Sequence, residues 1–349
     1  MYVESSNGSA PYMNPQQGGN PSKGAEVYAG DTCYIDMGIL YGGESFMTWW
    51  PNVGIDQTKF DAYLDSLFAS FKKNGVNMMD LSFAQLCDIE QLAQGKGEGA
   101  SGNDKISSIF ADGYEVIRSD GTSTGQNFLQ YMTARAHADG IKVDVSFGGA
   151  NASSTDWDPG KGTAGDLANF MNEYNIDSVD FDMETSLPQG VDYNQFFSEL
   201  HSLLQSSNKQ MILTVEGDLS NAKKLDLNNF DGVNLMLYST SQYYIDADND
   251  TWGLKQWIAA VGNPQKIHVG FYDSIPYENP SASAGEPYPI PEGLSRGDAA
   301  AFVYESALNE LGLTPDQVGE PFWWSDNPMT LAQDQVMQDF WSYLNGENR

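Results

Sequence analysis

Along most of the chain, short apolar runs alternate with stretches where apolar residues recur every three to four positions. The short runs have strand length and predict eight strands, at 33–40, 76–83, 141–147, 176–184, 210–216, 232–238, 266–272 and 320–324. Between them the helical period predicts a helix over 61–73, with Leu64, Leu67 and Phe71 on one face. Further helices are predicted over 127–138, 164–174, 194–205, 252–261, 299–311 and 332–344, with a shorter one at 219–227. Strict strand–helix alternation predicts an α/β fold with a parallel sheet, and eight strands close a (β/α)8 TIM barrel. An open doubly wound sheet is the alternative, but it wants a Gly-rich phosphate turn after an early strand, and none is present. The expected organisation is a flexible tail over residues 1–30, rich in Gly, Pro, Ser and Asn, followed by one barrel domain over 31–349.

The connections are uneven. After the second strand comes Gln94-Gly95-Lys96-Gly97-Glu98-Gly99-Ala100-Ser101-Gly102, and after the seventh comes 273–298 with five prolines. Both leave the C-terminal end of a strand, the face where barrel enzymes carry their sites. No internal repeat is evident.

Charge narrows the partners. Forty-eight acidic side chains against 17 basic ones give a net charge of −31, which repels nucleic acid and anionic membrane surfaces and leaves a neutral substrate open. Solubility or a salty medium accounts for the acidity equally well. No stretch has the length of apolar sequence that a membrane helix needs. The opening residues carry neither a basic nor an apolar leader region. Cys33 and Cys87 fall at opposite ends of neighbouring strands, so two lone thiols are expected rather than a disulfide. His137, His201 and His268 show no ligand spacing, so neither a metal site nor Ser-His-Asp chemistry is expected. Nothing in the pattern specifies an oligomeric state.

The fourth strand departs from ordinary composition. It reads Asp177-Ser178-Val179-Asp180-Phe181-Asp182-Met183-Glu184. Alternation puts Asp180, Asp182 and Glu184 on one face and Val179, Phe181 and Met183 on the other, with same-face neighbours about 6.6 Å apart. In a barrel the apolar set faces the helices and the acids face the lumen near its upper rim. Repulsion and desolvation both favour shared protons there, with one carboxyl neutral and able to act as an acid. Glu184, longest and nearest the rim, is the expected one. A solvated acidic strand end or a cation site is the plainer reading, but the apolar neighbours argue for burial. A calcium loop would need a glycine turn and ligands spread along a loop.

This stretch resembles the DxxDxDxE signature of glycoside hydrolase family 18, which includes chitinases and endo-β-N-acetylglucosaminidases, with Ser178 where the family usually has Gly. The signature belongs on the fourth barrel strand, the position counted above. Ser146-Phe147-Gly148-Gly149 is similar to the family's SxGG, although the glycines also read as simple close packing. Met236-Leu237-Tyr238 is similar to its MxY. Phe322-Trp323-Trp324-Ser325 resembles the stretch that supplies the floor of the −1 sugar subsite, with Trp324 the better match and Trp323 the competitor for the inward position. Leu40-Tyr41-Gly42 is a weaker likeness after the first strand.

The resemblance implies a retaining hydrolase of β-1,4-linked N-acetylglucosamine, in chitin or its oligomers, with the substrate's own acetamide as nucleophile. It assigns Glu184 as acid and base, Asp182 as the group that orients the acetamide, Asp180 behind it, and Tyr238 on the acetamide oxygen. Trp324, Met236, Ser146, Gly148, Gly149, Tyr41, Phe83 and Asp177 form the expected substrate-binding set, and no cofactor or metal is implied. Trp49 and Trp50 are further candidate sugar platforms. Ser239 stands where many chitinases have Asp or Asn, and Met183 replaces a frequent Trp. The family's deep-cleft members carry an α+β insertion after strand seven. The loop here predicts its absence, an open groove and cuts within chains. An endo-β-N-acetylglucosaminidase acting on N-glycan cores and a non-catalytic sugar-binding barrel are the alternatives. The expected location is extracellular, with no signal peptide legible in this chain.

Overall fold

A computed structural model describes residues 31–36, 55–84, 86, 115–149, 152, 157–159, 163–184, 187, 189–216, 219–237, 253–272, 290–324 and 335–346. In chain order its elements begin with β1 (Asp31–Asp36), β2 (Ile55–Asp56), α1 (Gln57–Lys73), β3 (Val76–Ala84), β4 (Glu115–Ile117), β5 (Ser123–Asn127) and α2 (Phe128–Ala138). There follow β6 (Lys142–Gly148), α3 (Ala164–Glu173), β7 (Ser178–Met183), α4 (Tyr193–Ser206), β8 (Gln210–Glu216), α5 (Leu219–Ala222) and β9 (Gly232–Met236). The chain closes with α6 (Leu254–Val261), β10 (Ile267–Tyr272), α7 (Arg296–Glu310), β11 (Phe322–Trp324) and α8 (Val336–Leu344).

Eight parallel strands form a closed barrel in the order β1, β3, β6, β7, β8, β9, β10, β11, with β1 hydrogen-bonded to both β3 and β11. All eight expected strands are present, and β7 is the fourth of them. The expected 33–40 strand begins earlier, at Asp31, and is described as far as Asp36, and the 219–227 helix shortens to Leu219–Ala222 followed by a 3-10 turn at Leu227–Asn229. A small second sheet, β2–β4–β5, was not expected. It lies in the connections that leave the C-terminal ends of β1 and β3, and its two-, three- and five-residue strands are too short or too polar to show a period. The tail, the glycine-rich loop, residues 273–289 of the proline-rich connection and Cys87 lie outside the described residues.

Local chemistry fixes the helix ends. Asn127, Thr163 and Ser295 each cap a helix in a reciprocal box with Gln130, Asp166 and Asp298 three residues on. The apolar stripe of α4, Tyr193, Phe196, Phe197, Leu200 and Leu204, is buried against the sheet. Phe181 of β7 meets the Phe197 ring edge-on at 4.9 Å and lies 5.9 Å from Phe147 of β6. Val179, Phe181 and Met183 are all buried, so the apolar face of the acidic strand does turn to the helices.

The foot of the barrel repeats one arrangement. Asp177, immediately before β7, accepts the Val143 N–H at 2.8 Å and pairs with His137 of α2 at 2.7 Å. Asp231, immediately before β9, accepts the Met211 N–H at 2.9 Å and pairs with His201 of α4 at 3.3 Å. In each case the acid's own N–H returns to the carbonyl of the residue it caps. Each acid therefore ties the second residue of one strand to the start of the next and to the helix that precedes the first of the two.

The contest between the two tryptophans has a physical answer on one side. Trp323 is fully buried, stacked on Phe271 at 5.1 Å and edge-on to Phe340 of α8 at 5.4 Å. It belongs to the layer between barrel and helices. Trp323→Ala is expected to cost about 3–5 kcal/mol in urea unfolding; a loss under about 1 kcal/mol would show that the ring is not a core element.

Candidate active site

The lumen near the C-terminal ends of the strands is built by alternation. Asp144, Ser146 and Gly148 of β6, Ser178, Asp180 and Asp182 of β7, Ile212, Thr214 and Glu216 of β8, and Asn234 and Met236 of β9 share the inner face. Register aligns them in rows: Ser146, Asp180 and Ile212 pair in sequence, then Gly148, Asp182 and Thr214.

Asp180 lies at the centre and is completely buried. Ser146 Oγ donates to its Oδ2 at 2.6 Å, and Thr214 Oγ1 donates to its Oδ1 at 2.7 Å. The Asn234 amide in turn donates to Thr214 Oγ1 at 3.0 Å. An amide NH2 can only donate, so the chain runs one way, from Asn234 through Thr214 to Asp180, and both carboxyl oxygens accept.

Asp182 stands above Asp180, 2% exposed. Its carboxyl is pushed well above the ordinary range by burial first, then by the charges of Glu184, Asp180 and Glu216 and a hydrogen bond with Glu184. Its Oδ1 is buried without a hydrogen-bond partner. Glu184 follows the last residue of β7 and is half-buried. Below, Asp144 is also pushed well up, by burial and then the charge of Asp180, against the pull of the Ser178 hydroxyl and the Val145 N–H at 2.8 Å. Burial thus pushes Asp182 and Asp144, deeper in the lumen, toward their protonated forms.

The two glycines of the SxGG stretch have a steric role. Gly148 has φ +114°, and a Cβ there would lie 2.3 Å from the Asp182 carbonyl oxygen and 2.4 Å from the Trp157 ring. Gly149 N–H donates to that same carbonyl at 2.9 Å. The end of β6 thus presses against β7 at the level of Asp182, under the buried Trp157. Across the lumen Phe322 lies against Gly270, where a Cβ would meet its ring at 2.3 Å.

The structure therefore brings together Glu184, Asp182, Asp180, Ser146, Gly148, Gly149 and, half-buried at the end of β9, Met236. Tyr238, Tyr41, Trp49, Trp50 and Ser239 lie outside the described residues. Phe83 and Trp324 fall in β3 and β11, with their side chains outside the description. Asp177 is a correction. It opens the sequence signature but sits at the opposite end of the barrel, engaged with Val143 and His137, because three residues of extended chain carry it about 10 Å below Asp180. A depression of about 550 Å³ lies there too, lined by residues including Lys142, Asp177, Lys209 and Asp231, away from the carboxyls. Asp144, Thr214, Glu216, Asn234 and Trp157 were not anticipated. Alternation in Lys142–Gly148 and Gln210–Glu216 marks the first three as inward-facing, whereas the Trp157 contact has no local signal. Among the described residues, no group of three His, Cys, Asp or Glu could hold a metal ion.

The chain matches the model of glycosyl hydrolases family 18 over residues 50–330 and belongs to that family. Among solved structures it is similar to catalytic domain 2 of the Group II chitinase of Ostrinia furnacalis, with a TM-score of 0.50 and 12% identity over 89% of this chain and 96% of that one. It is also similar to the family 18 chitinase ChiB of Flavobacterium johnsoniae, at TM-score 0.49 and 14% identity over 92% and 96% of the two chains. A third is the xylanase and alpha-amylase inhibitor protein XAIP-II of Scadoxus multiflorus, at TM-score 0.47 and 13% identity over 90% and 99%. At 12% identity the Ostrinia likeness speaks to fold alone. No curated protein matches the chain.

Burial of Asp144 generates a pH dependence. A carboxyl held above its unfolded value binds its proton more tightly in the folded state, so it favours folding at acid pH and loses that contribution as pH rises from the ordinary value of 3.8. Asp144→Asn removes this slope. The urea midpoint of the variant relative to wild type is expected to climb between about pH 4 and pH 8; a constant difference across that range would contradict the assignment.

Proposed function

We propose that the chain is a retaining glycoside hydrolase that cleaves β-1,4-linked N-acetylglucosamine in chitin or chitooligosaccharides. The observation that carries this reading is the ladder Asp180–Asp182–Glu184, with Asp182 hydrogen-bonded to Glu184 and Asp180 held beneath by two hydroxyls.

In the first step Glu184 gives its proton to the glycosidic oxygen as the bond from that oxygen to the anomeric carbon breaks. The substrate's acetamide oxygen closes on the same carbon, forming an oxazolinium ion. Asp182, with its unpartnered Oδ1, accepts the acetamide N–H, orients the group and stabilises the positive charge that develops. Tyr238, by its place in the MxY stretch, fixes the acetamide oxygen. In the second step the Glu184 carboxylate takes a proton from water, which adds to the anomeric carbon from the leaving-group side. The ring opens, the acetamide is restored, and configuration is retained. Trp324 is assigned as the floor of the sugar subsite. The short 273–298 connection, by its length in the sequence, leaves no room for an added α+β subdomain and suits an open groove with cuts within a chain, in a single catalytic domain acting outside the cell.

Glu184→Gln is expected to lower turnover of chitooligosaccharides by about 10²–10⁴-fold, the usual contribution of general acid catalysis. Asp182→Asn should cripple turnover while oligosaccharide still binds in calorimetry. Release of glycan from a high-mannose glycoprotein in place of chitooligosaccharide cleavage would transfer the site to N-glycan cores. Binding without cleavage of either substrate by the wild-type protein would overturn the enzymatic reading.

A further inference from the structure

Glu216 is not part of the acid run on β7, yet register brings it to the same place. The β7–β8 ladder pairs Asp182 with Thr214 and Met183 with Val215. Continued one residue beyond the end of the ladder, the same register sets Glu184 opposite Glu216, on the inner face that Asp182 and Thr214 share. Neighbouring strands are about 4.8 Å apart, so two like-charged side chains leave the rim side by side. On its other side Glu216 pairs with uncharged Met236 of β9. A direct like-charge neighbour is unfavourable in a sheet unless it has another use.

Among the described residues, the inner faces of β6 to β9 offer no compensating cation at this level. The inner faces of β6 to β9 present Asp144, Asp180, Asp182, Glu184 and Glu216 beside uncharged Ser146, Thr214, Asn234 and Met236. Lys142 and His268, on the same faces of β6 and β10, belong toward the foot, with His268 bonded to the Glu320 carbonyl at 2.7 Å. Exposure separates the members. Glu216 is exposed, Glu184 half-buried and Asp182 buried, so water solvates the charge of Glu216 while its field reaches inward. Asp182 feels that field as one of the charges acting on it. Its buried, unpartnered Oδ1 marks the spot at which a ligand N–H would be received.

We propose that Glu216 is a positioning residue of this site: from the neighbouring strand it keeps the proton on the Asp182–Glu184 pair as the surroundings turn alkaline. The role rests on the hydrolase reading above and acts through the pair, without contact to the reacting atoms. A negative charge beside a protonated carboxyl pair makes removal of that proton harder. At rim separations and an effective dielectric between those of protein and water, the effect is about half a pH unit to one unit. It weakens with salt, because one partner is exposed.

The test compares wild type, Glu216→Gln and Glu216→Asp by two readouts. One is the pH profile of kcat/KM on chitooligosaccharides; the other is the infrared band of protonated carboxyls, titrated without substrate. Glu216→Gln is expected to move the basic limb and the carboxyl midpoint to lower pH by about half a unit or more at low salt, with a smaller shift at about 1 M salt. Glu216→Asp, which keeps the charge, should restore most of both. Basic limb and midpoint unchanged in Glu216→Gln at both salt levels would overturn the proposal, since a merely structural glutamate would leave both in place. A wild-type protein that cuts nothing overturns the hydrolase reading instead, and the two failures are told apart because the infrared midpoint needs no turnover.

Discussion

A carboxyl with no access to water at the centre of a closed barrel is tolerable only if protein groups replace its hydration. Asp180 meets that requirement through two hydroxyls, one from each neighbouring strand, and everything above it depends on the result. Hydrogen bonds to a charged acceptor are worth about 1.5–3 kcal/mol each, while a buried charge left without them costs several times more. The pairing also fixes direction: Asn234 polarises Thr214, and Thr214 and Ser146 hold the two oxygens of Asp180 in one orientation. With Asp180 immobile, its neighbour Asp182 bonds to Glu184 and keeps one buried oxygen that no hydrogen bond among the described residues meets.

The opposite face of the same strand makes this arrangement possible. Val179, Phe181 and Met183 are buried under helices, and Phe181 is gripped by Phe147 and Phe197. A one-residue slip would turn three acids into the helix layer and three apolar side chains into the lumen, which neither environment could accept. The apolar packing thus sets the register that aligns the carboxyls, and Gly148 lets β6 close against Asp182 without a side chain in between.

Much of this was legible because alternation is a local property. The eight strands, the position of the acids on the fourth, and the outward turn of its apolar residues all follow from spacing within a few residues. Asp177 was misplaced for a related reason: membership in a sequence signature says nothing about distance along a strand, and three residues are enough to reach the other end of the sheet. The β4–β5 turn had a cue in Asp120-Gly121, with Gly121 at φ +83° and Asp120 accepting from Thr122, but its flanks are too polar to read as strands. Asp144 and Glu216 stood in plain alternation and were passed over because neither belongs to the acid run. Trp157 pressing on Gly148 could not be read at all, since that contact exists only once the connection after β6 has folded back.

The paired clamps at the foot bear on how such a molecule tolerates change. Sequence offers no internal repeat, yet His137 with Asp177 and His201 with Asp231 solve the same junction in the same way, two strand–helix units apart. Each clamp aligns two strands from below, by bonds that do not involve the connections at the mouth. At these two junctions strand alignment is thus held from below, at the end away from the carboxyl row. The spacing of the acids at the mouth therefore rests on two supports, the clamps at the foot and the close packing of Gly148 against Asp182 and Trp157.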